Sequence, residues 1–173
     1  MTGVSRRLTR GAMLVSLALV LSLLERLIPL EWFIPIPGVK LGLANIVTLF
    51  ALASLGMRDA TVILVLRVGI LGLINGPVPF ILSASGGLLS LMVMWILMRG
   101  NGRVFTLIGV GMGGAVAHNT GQVLAASLLL GNPALLATYL PALLLTGLLT
   151  GVLTGSAAIP VCRILDGAKG AAP

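Results

Sequence analysis

Charge is what this chain has least of. Only 9% of its 173 residues are Asp, Glu, Lys or Arg, whereas soluble domains average about 25%, so its surface is not built to face water. Acid is scarcer still, with Glu25, Glu31, Asp59 and Asp166 the only carboxylate side chains. Magnesium-dependent diphosphate chemistry needs clustered carboxylates to hold the ion. The two aspartates are far apart in sequence, which argues against an autonomous prenyltransferase and against a metal site. A Ser/His/Asp triad likewise has no third member near His118 except Glu25. Cys162 is the only cysteine, which excludes an intramolecular disulfide, a CxxC pair and a thiolate metal cage. The only lysines, Lys40 and Lys169, do not fit GxxxxGK[ST], so ATP is not bound through a P-loop. No cofactor is expected. Aromatic residues make up 4% and the basic residues sit singly or in small groups between apolar runs, so the net charge of +7 does not mark a nucleic-acid-binding surface.

What is present is hydrocarbon: 58% of residues are hydrophobic and the mean hydropathy is +1.15. Inside a bilayer the backbone must satisfy its own hydrogen bonds, so apolar runs of about 20 residues are helices. Charge, Pro and Gly divide the chain into six, at approximately 11–30, 41–57, 60–76, 78–98, 105–130 and 136–160. The expectation is one all-α integral membrane domain over 1–173, a bundle of six transmembrane helices. Arg6, Arg7 and Arg10 before an apolar run resemble a signal peptide, but Glu25-Arg26-Leu27-Ile28-Pro29 follows rather than a small-residue cleavage site. The first helix is therefore expected to be retained.

Cations orient the bundle, because short cytoplasmic segments are enriched in Lys and Arg. With the N-terminus inside, Arg6, Arg7, Arg10, Arg58, Arg99, Arg103, Arg163 and Lys169 fall on the inner side and only Lys40 on the outer. That asymmetry predicts both termini on the cytoplasmic side of the membrane. Trp32, Phe33 and Tyr139 then lie at the outer interface, and Trp95 and Phe105 at the inner one.

Helices in lipid associate through close van der Waals contact, which small residues at four-residue spacing permit. Gly147, Gly151 and Gly155 form such a stripe on the sixth helix, and Gly109, Gly113 and Ala117 form one on the fifth; both are expected to pack inside the bundle. Ala12 and Ser16, with the parallel pair Ala18 and Ser22, form a weaker stripe on the first helix. Internal packing and docking of another membrane protein are both open for it.

Polar residues inside spans are expensive and few, so each marks a candidate site. Here they are Glu25, Arg26, Asn45, Arg67, Asn75, Ser83, Ser85, His118, Asn119 and Gln122. At the helical rise, His118 lies about 22 Å beyond Arg103, Asn45 about 7 Å inward from Lys40, and Ser83 and Ser85 about 9–12 Å inward from Pro77. Asn75 lies about 24 Å outward from Asp59, and Arg67 nearer the midplane. Five helices therefore place hydrogen-bonding groups in the outer half, where His118 and Gln122 share a face at i,i+4 with Asn119 beside them. Each group alone is also accounted for by an interhelical hydrogen bond. Together they predict a ligand cavity open to the outside, lined by Lys40, Asn45, Arg67, Asn75, Ser85, His118, Asn119 and Gln122. The segment Glu31 to Lys40, with Pro35 and Pro37 before Gly38, is a stiff extended loop, either a lid over that cavity or a plain connector.

The segments PGVKLGLANIVTLFAL (37–52), SASGGLLSLMVM of the fourth helix and GAVAHNTGQVLAA of the fifth resemble the bacterial membrane family known as heptaprenyl diphosphate synthase component I, or Gx transporters. That family resembles the substrate-binding S-components of energy-coupling factor transporters. The resemblance implies a six-helix bundle that binds a small molecule near its outer face. It makes Lys40, Asn45, His118, Asn119 and Gln122 binding residues, the Pro35 to Gly38 segment a gate, and Ala12 and Ser16 the docking stripe for a coupling subunit and its ATPases. The stripe here carries Ser in place of one Ala.

Two functions follow. The first is a substrate-binding subunit of a small-molecule uptake transporter that takes its energy from partners. The second is a membrane-bound accessory subunit of heptaprenyl or polyprenyl diphosphate synthesis, with an isoprenoid-type substrate and with Arg26, Arg67 and Lys40 as diphosphate contacts. Neither makes the chain an enzyme by itself, and neither involves nucleic acid.

Overall fold

The computed structural model describes residues 3–25, 27, 42–99 and 105–170. Lys40, Arg26, Trp32, Phe33, Arg103 and the Pro35 to Gly38 segment lie outside them, as do the expectations placed on those residues. Six helices and no strands occur among the described residues: α1 (Gly3–Glu25), α2 (Asn45–Leu55), α3 (Met57–Asn75), α4 (Pro77–Met98), α5 (Leu107–Leu130) and α6 (Ala134–Gly170).

The number of helices agrees with the sequence reading, but several limits differ from the spans of 11–30 and 136–160. α1 begins upstream of its arginines because an exposed helical turn accommodates Arg7 and Arg10 as well as it does leucine. α6 runs on past 160, through Pro141 and Pro160. Single residues join α2 to α3 and α3 to α4. These are Gly56 (φ 92°, ψ 176°) and Gly76 (φ 89°, ψ 179°), a backbone region that only glycine enters readily. Each donates its N–H back to the preceding helix, to Ala51 O and Gly72 O, so both corners are hydrogen-bonded despite their brevity. Thr106 begins α5 by accepting from Gly109 N, and Gly131, left-handed at φ 60°, ends it.

α5 lies between α4 and α6 and shares the most extensive contacts of the molecule with them. Glycine makes this possible. A Cβ on Gly155 would run into Ile108 Cα, and one on Gly111 would lie 2.6 Å from Gly151 O. The α6 stripe of Gly147, Gly151 and Gly155 therefore packs internally, as the spacing predicts. The α5 stripe does not act as a unit. Gly113 faces Leu97 of α4, and Gly109 meets only Phe105 and Thr106 of its own helix start. Gly111 takes the α6 contact instead, and Gly121 meets Ser85 and Gly86 of α4. Spacing fixes which residues share a helix face but not which neighbour stands opposite that face.

The burial pattern is inverted relative to a soluble protein. Asn45, Asn119 and Gln122 are fully buried, while Leu73 is 91% and Leu128 83% exposed. Polar groups inside and leucine outside is the arrangement that a hydrocarbon solvent selects. Three helical segments are long and apolar enough to cross a membrane, Arg7–Glu25, Pro77–Met98 and Ala134–Pro160, and α2 is a shorter apolar helix. α3 carries Arg58, Asp59 and Arg67, and α5 carries His118, Asn119 and Gln122; these residues give both helices a more polar character. At the end of α4 the Arg99 guanidinium stacks 3.8 Å over the Trp95 ring, a cation–π contact.

Candidate functional site: a buried polar layer

The polar layer is built around the turn that precedes α2. Gly42 has φ +83°, which leaves its N–H and that of Leu43 pointing at Glu25 at the end of α1. Glu25 Oε1 accepts from both, at 3.2 Å from Leu43 N. The carboxylate is 3% exposed and also supplies the charge that opposes the buried guanidinium of Arg67 on α3. Burying an uncompensated charge is costly, so the opposite signs of these two buried groups make the burial of each less expensive.

From Gly42 the layer continues towards α5. A Cβ on Gly42 would lie 2.8 Å from Asn45 Nδ2 and 3.1 Å from His118 Cδ2, so the missing side chain is what lets the asparagine and the imidazole approach. The Gly86-Gly87 doublet of α4 is the opposite wall. On one side a Cβ at Gly86 would meet Gln122 Cγ at 2.8 Å and His118 Cε1 at 3.1 Å. On the other, a Cβ at Gly87 would meet Leu64 Cδ1 at 2.7 Å and Arg67 Nη2 at 3.5 Å. Arg67 of α3 and His118 and Gln122 of α5 thus converge on two glycines of α4, and His118 also approaches Asn45 of α2 at Gly42.

The other predicted members lie elsewhere. Asn119 turns away and donates from Nδ2 to Leu143 O of α6 at 2.6 Å. One residue of helix rotates a side chain by about 100°, enough to send it to the other neighbour of α5. Ser85 is half-buried and returns its hydroxyl to Ile81 O and Leu82 O of its own helix. Asn75 is half-buried at the end of α3, about 12 Å along the helix from Arg67. On α1, Ala18 and Ser22 pack into the bundle, while Ala12 and Ser16 stay exposed. Ser16 donates its hydroxyl to Ala12 O at 3.0 Å.

Sequence reasoning did not assign Gly42, Gly86 or Gly87 to this layer. The signal was in the segments already singled out, the glycine in KLGLAN and the doublet in SASGGLLS. Both amide atoms of Asn45, Nε of Arg67, Oδ1 of Asn119 and Oγ of Ser90 are buried and make no hydrogen bond among the described residues. Buried amides and guanidinium N–H groups left unpaired cost stability. At Asn45 and Arg67 that cost falls where the helices converge, which makes their polar atoms candidates for ligand contact.

A family model described as heptaprenyl diphosphate synthase component I matches residues 14–160, which takes in α1 from Leu14 through most of α6. No curated protein and no solved structure matches the chain.

Proposed function

The chain belongs to the heptaprenyl diphosphate synthase component I family, and from that membership we propose that it is a membrane-embedded accessory component of polyprenyl diphosphate synthesis. The match over 14–160 is the observation that carries the reading. The carboxylates support the division of labour. The two carboxylates among the described side chains are already engaged, Glu25 with Gly42 and Leu43 and Asp59 with Arg7, which supports assigning bond-making at a metal-bound diphosphate to a soluble partner subunit. This chain holds the apolar part of the reaction in the bilayer. In this reading all six helices lie in the bacterial inner membrane with both termini cytoplasmic, supported by the eight cations against one.

The test is reconstitution. Adding the full chain in lipid nanodiscs to the soluble synthase of the same cell is expected to raise the rate severalfold or lengthen the product. Unchanged rate and product length overturn the proposal.

A specific observation favours a second reading, a substrate-binding subunit of an uptake transporter. It is the convergence of Arg67, His118 and Gln122 on Gly86 and Gly87, with Asn45 beside His118 at Gly42 and both amide atoms of Asn45 unpaired. Ala12 and Ser16, exposed on α1, would dock a coupling subunit carrying ATPases. If Asn45 is kept for a ligand, Asn45→Leu removes two unpaired buried atoms and stabilises the unliganded protein by about 1–2 kcal/mol. The same substitution abolishes stabilisation by the transported molecule. Thermal melting in detergent with cell extract fractions measures both; an Asn45→Leu protein that melts lower and still responds to the active fraction sinks this reading.

A further inference from the structure

Two buried side chains of the polar layer stand at one level in the fold. α2 and α3 are joined by Gly56 alone and pack against each other. Asn45 lies eleven residues before that corner and Arg67 eleven residues after it, each about 16 Å along its helix. The hairpin therefore carries both at the same depth. His118 stands beside Asn45 at Gly42, and the Gly86-Gly87 doublet stands beside His118 and Arg67, so the imidazole and the doublet link the two across the layer.

Neither side chain has its hydrogen-bonding capacity met among the described residues. Asn45 is 0% exposed, and Nδ2 and Oδ1 both lack a partner, so its demand is the same whichever way the amide is turned. It asks for one acceptor and one donor. Arg67 is 4% exposed with Nε unpaired. A guanidinium has only donors, so it asks for an acceptor. Glu25 opposes the charge of Arg67 while its Oε1 is occupied by the N–H groups of Gly42 and Leu43. With His118 neutral, the formal charges of Glu25 and Arg67 cancel and the layer carries no excess charge.

These demands select among occupants. An anion entering a neutral buried layer brings a charge with no counterion of its own, which is costly. Ionised carboxylates also offer only acceptors, and so does a diphosphate, so either would leave Asn45 Oδ1 unpaired. A hydrocarbon leaves all three atoms unpaired. An N–H flanked by two carbonyls answers every one: the N–H donates to Asn45 Oδ1, one carbonyl accepts from Asn45 Nδ2, and the other accepts from Arg67 Nε. We infer that Asn45 and Arg67 bind an uncharged cyclic imide or ureide. This rests on the reading of the chain as a substrate-binding subunit and names the class of molecule that it takes.

The experiment titrates the full chain in detergent with glutarimide, N-methylglutarimide, acetate and pyrophosphate and follows thermal melting. Glutarimide is expected to raise the melting temperature saturably, because a ligand of the folded state stabilises it by mass action. N-methylglutarimide keeps both carbonyls but lacks the N–H, and is expected to bind about tenfold more weakly. Acetate and pyrophosphate are expected to do no more than sodium chloride at equal ionic strength. Asn45→Leu is expected to melt no lower than the unsubstituted protein and to lose the glutarimide response. With isotope-labelled arginine side chains, glutarimide is expected to shift the Nε–H resonance that is missing from Arg67→Met. No saturable response to glutarimide, an equal response to N-methylglutarimide, a stronger one to acetate or pyrophosphate, or a response that survives Asn45→Leu overturns the assignment. Glutarimide binding at Asn45 without a response to any cell extract fraction overturns the transporter reading and leaves the site standing. A response to an extract component that glutarimide does not compete with overturns the imide class and leaves the transporter reading standing.

Discussion

Gly151→Leu is expected to separate α5 from α6 and to cost the protein about 3 kcal/mol or more. At Gly151 a Cβ would strike Met112 Cα and lie 2.8 Å from Met112 N and 2.9 Å from Gly111 O. All three are backbone atoms of α5, so no side chain can rotate out of the way; the whole helix must move. That movement would also stretch the Asn119 bond to Leu143 O, 2.6 Å in the folded protein. Gly69→Ala is the matching control. Gly69 also lies in a helix, but a Cβ there meets nothing within 4 Å, so the change is expected to be neutral or slightly stabilising. Thermal melting in detergent followed by size-exclusion chromatography separates the two, and equal melting temperatures for both variants would refute the close backbone packing of α5 on α6.

Glu25→Ala is expected to have an effect of similar size, about 3 kcal/mol, for a different reason. It removes the acceptor of the Gly42 and Leu43 N–H groups and leaves Arg67, 4% exposed, without its opposing charge. Glu25→Gln should cost less, because an amide oxygen still accepts from the turn. Arg67→Met in the Glu25→Ala background is expected to recover part of the loss, since it removes the stranded cation. The four melting temperatures of this double-mutant cycle give the coupling directly. Additive effects would show that Glu25 acts only on the turn.

The two predictions draw on different kinds of information. The α6 stripe follows from spacing, because residues four apart share a helix face whatever stands opposite, and its small side chains invite a close neighbour. The α5 glycines were less readable. With Gly109, Gly111, Gly113, Gly114 and Gly121 distributed around one helix, several faces admit close approach, and only the positions of α4 and α6 choose among them. His118 and Asn119 separate for a related reason. They are adjacent in sequence and equal in depth, but adjacent residues point to different neighbours. His118 meets Gly42 and Gly86 while Asn119 meets α6. Arg67 could be recognised as an expensive residue, but its relation to Glu25 crosses more than forty residues of chain.

By itself the sequence determined the solvent, the secondary structure and the family. A chain with 9% charge does not face water, its apolar runs are helical because backbone groups in hydrocarbon need partners within the same segment, and glycine or charge marks where most of those runs stop. It also determined which polar residues demand an explanation, because so few occur. The tertiary structure decided which of them meet. It gathered Arg67, His118 and Gln122 about two glycines of α4 and Asn45 with His118 about Gly42, assigned Asn119 to helix packing, and left Ala12 and Ser16 exposed while Ala18 and Ser22 went inside. Periodicity fixes the angle of a side chain about its own helix axis, but what stands at that angle depends on the tilt and placement of other helices.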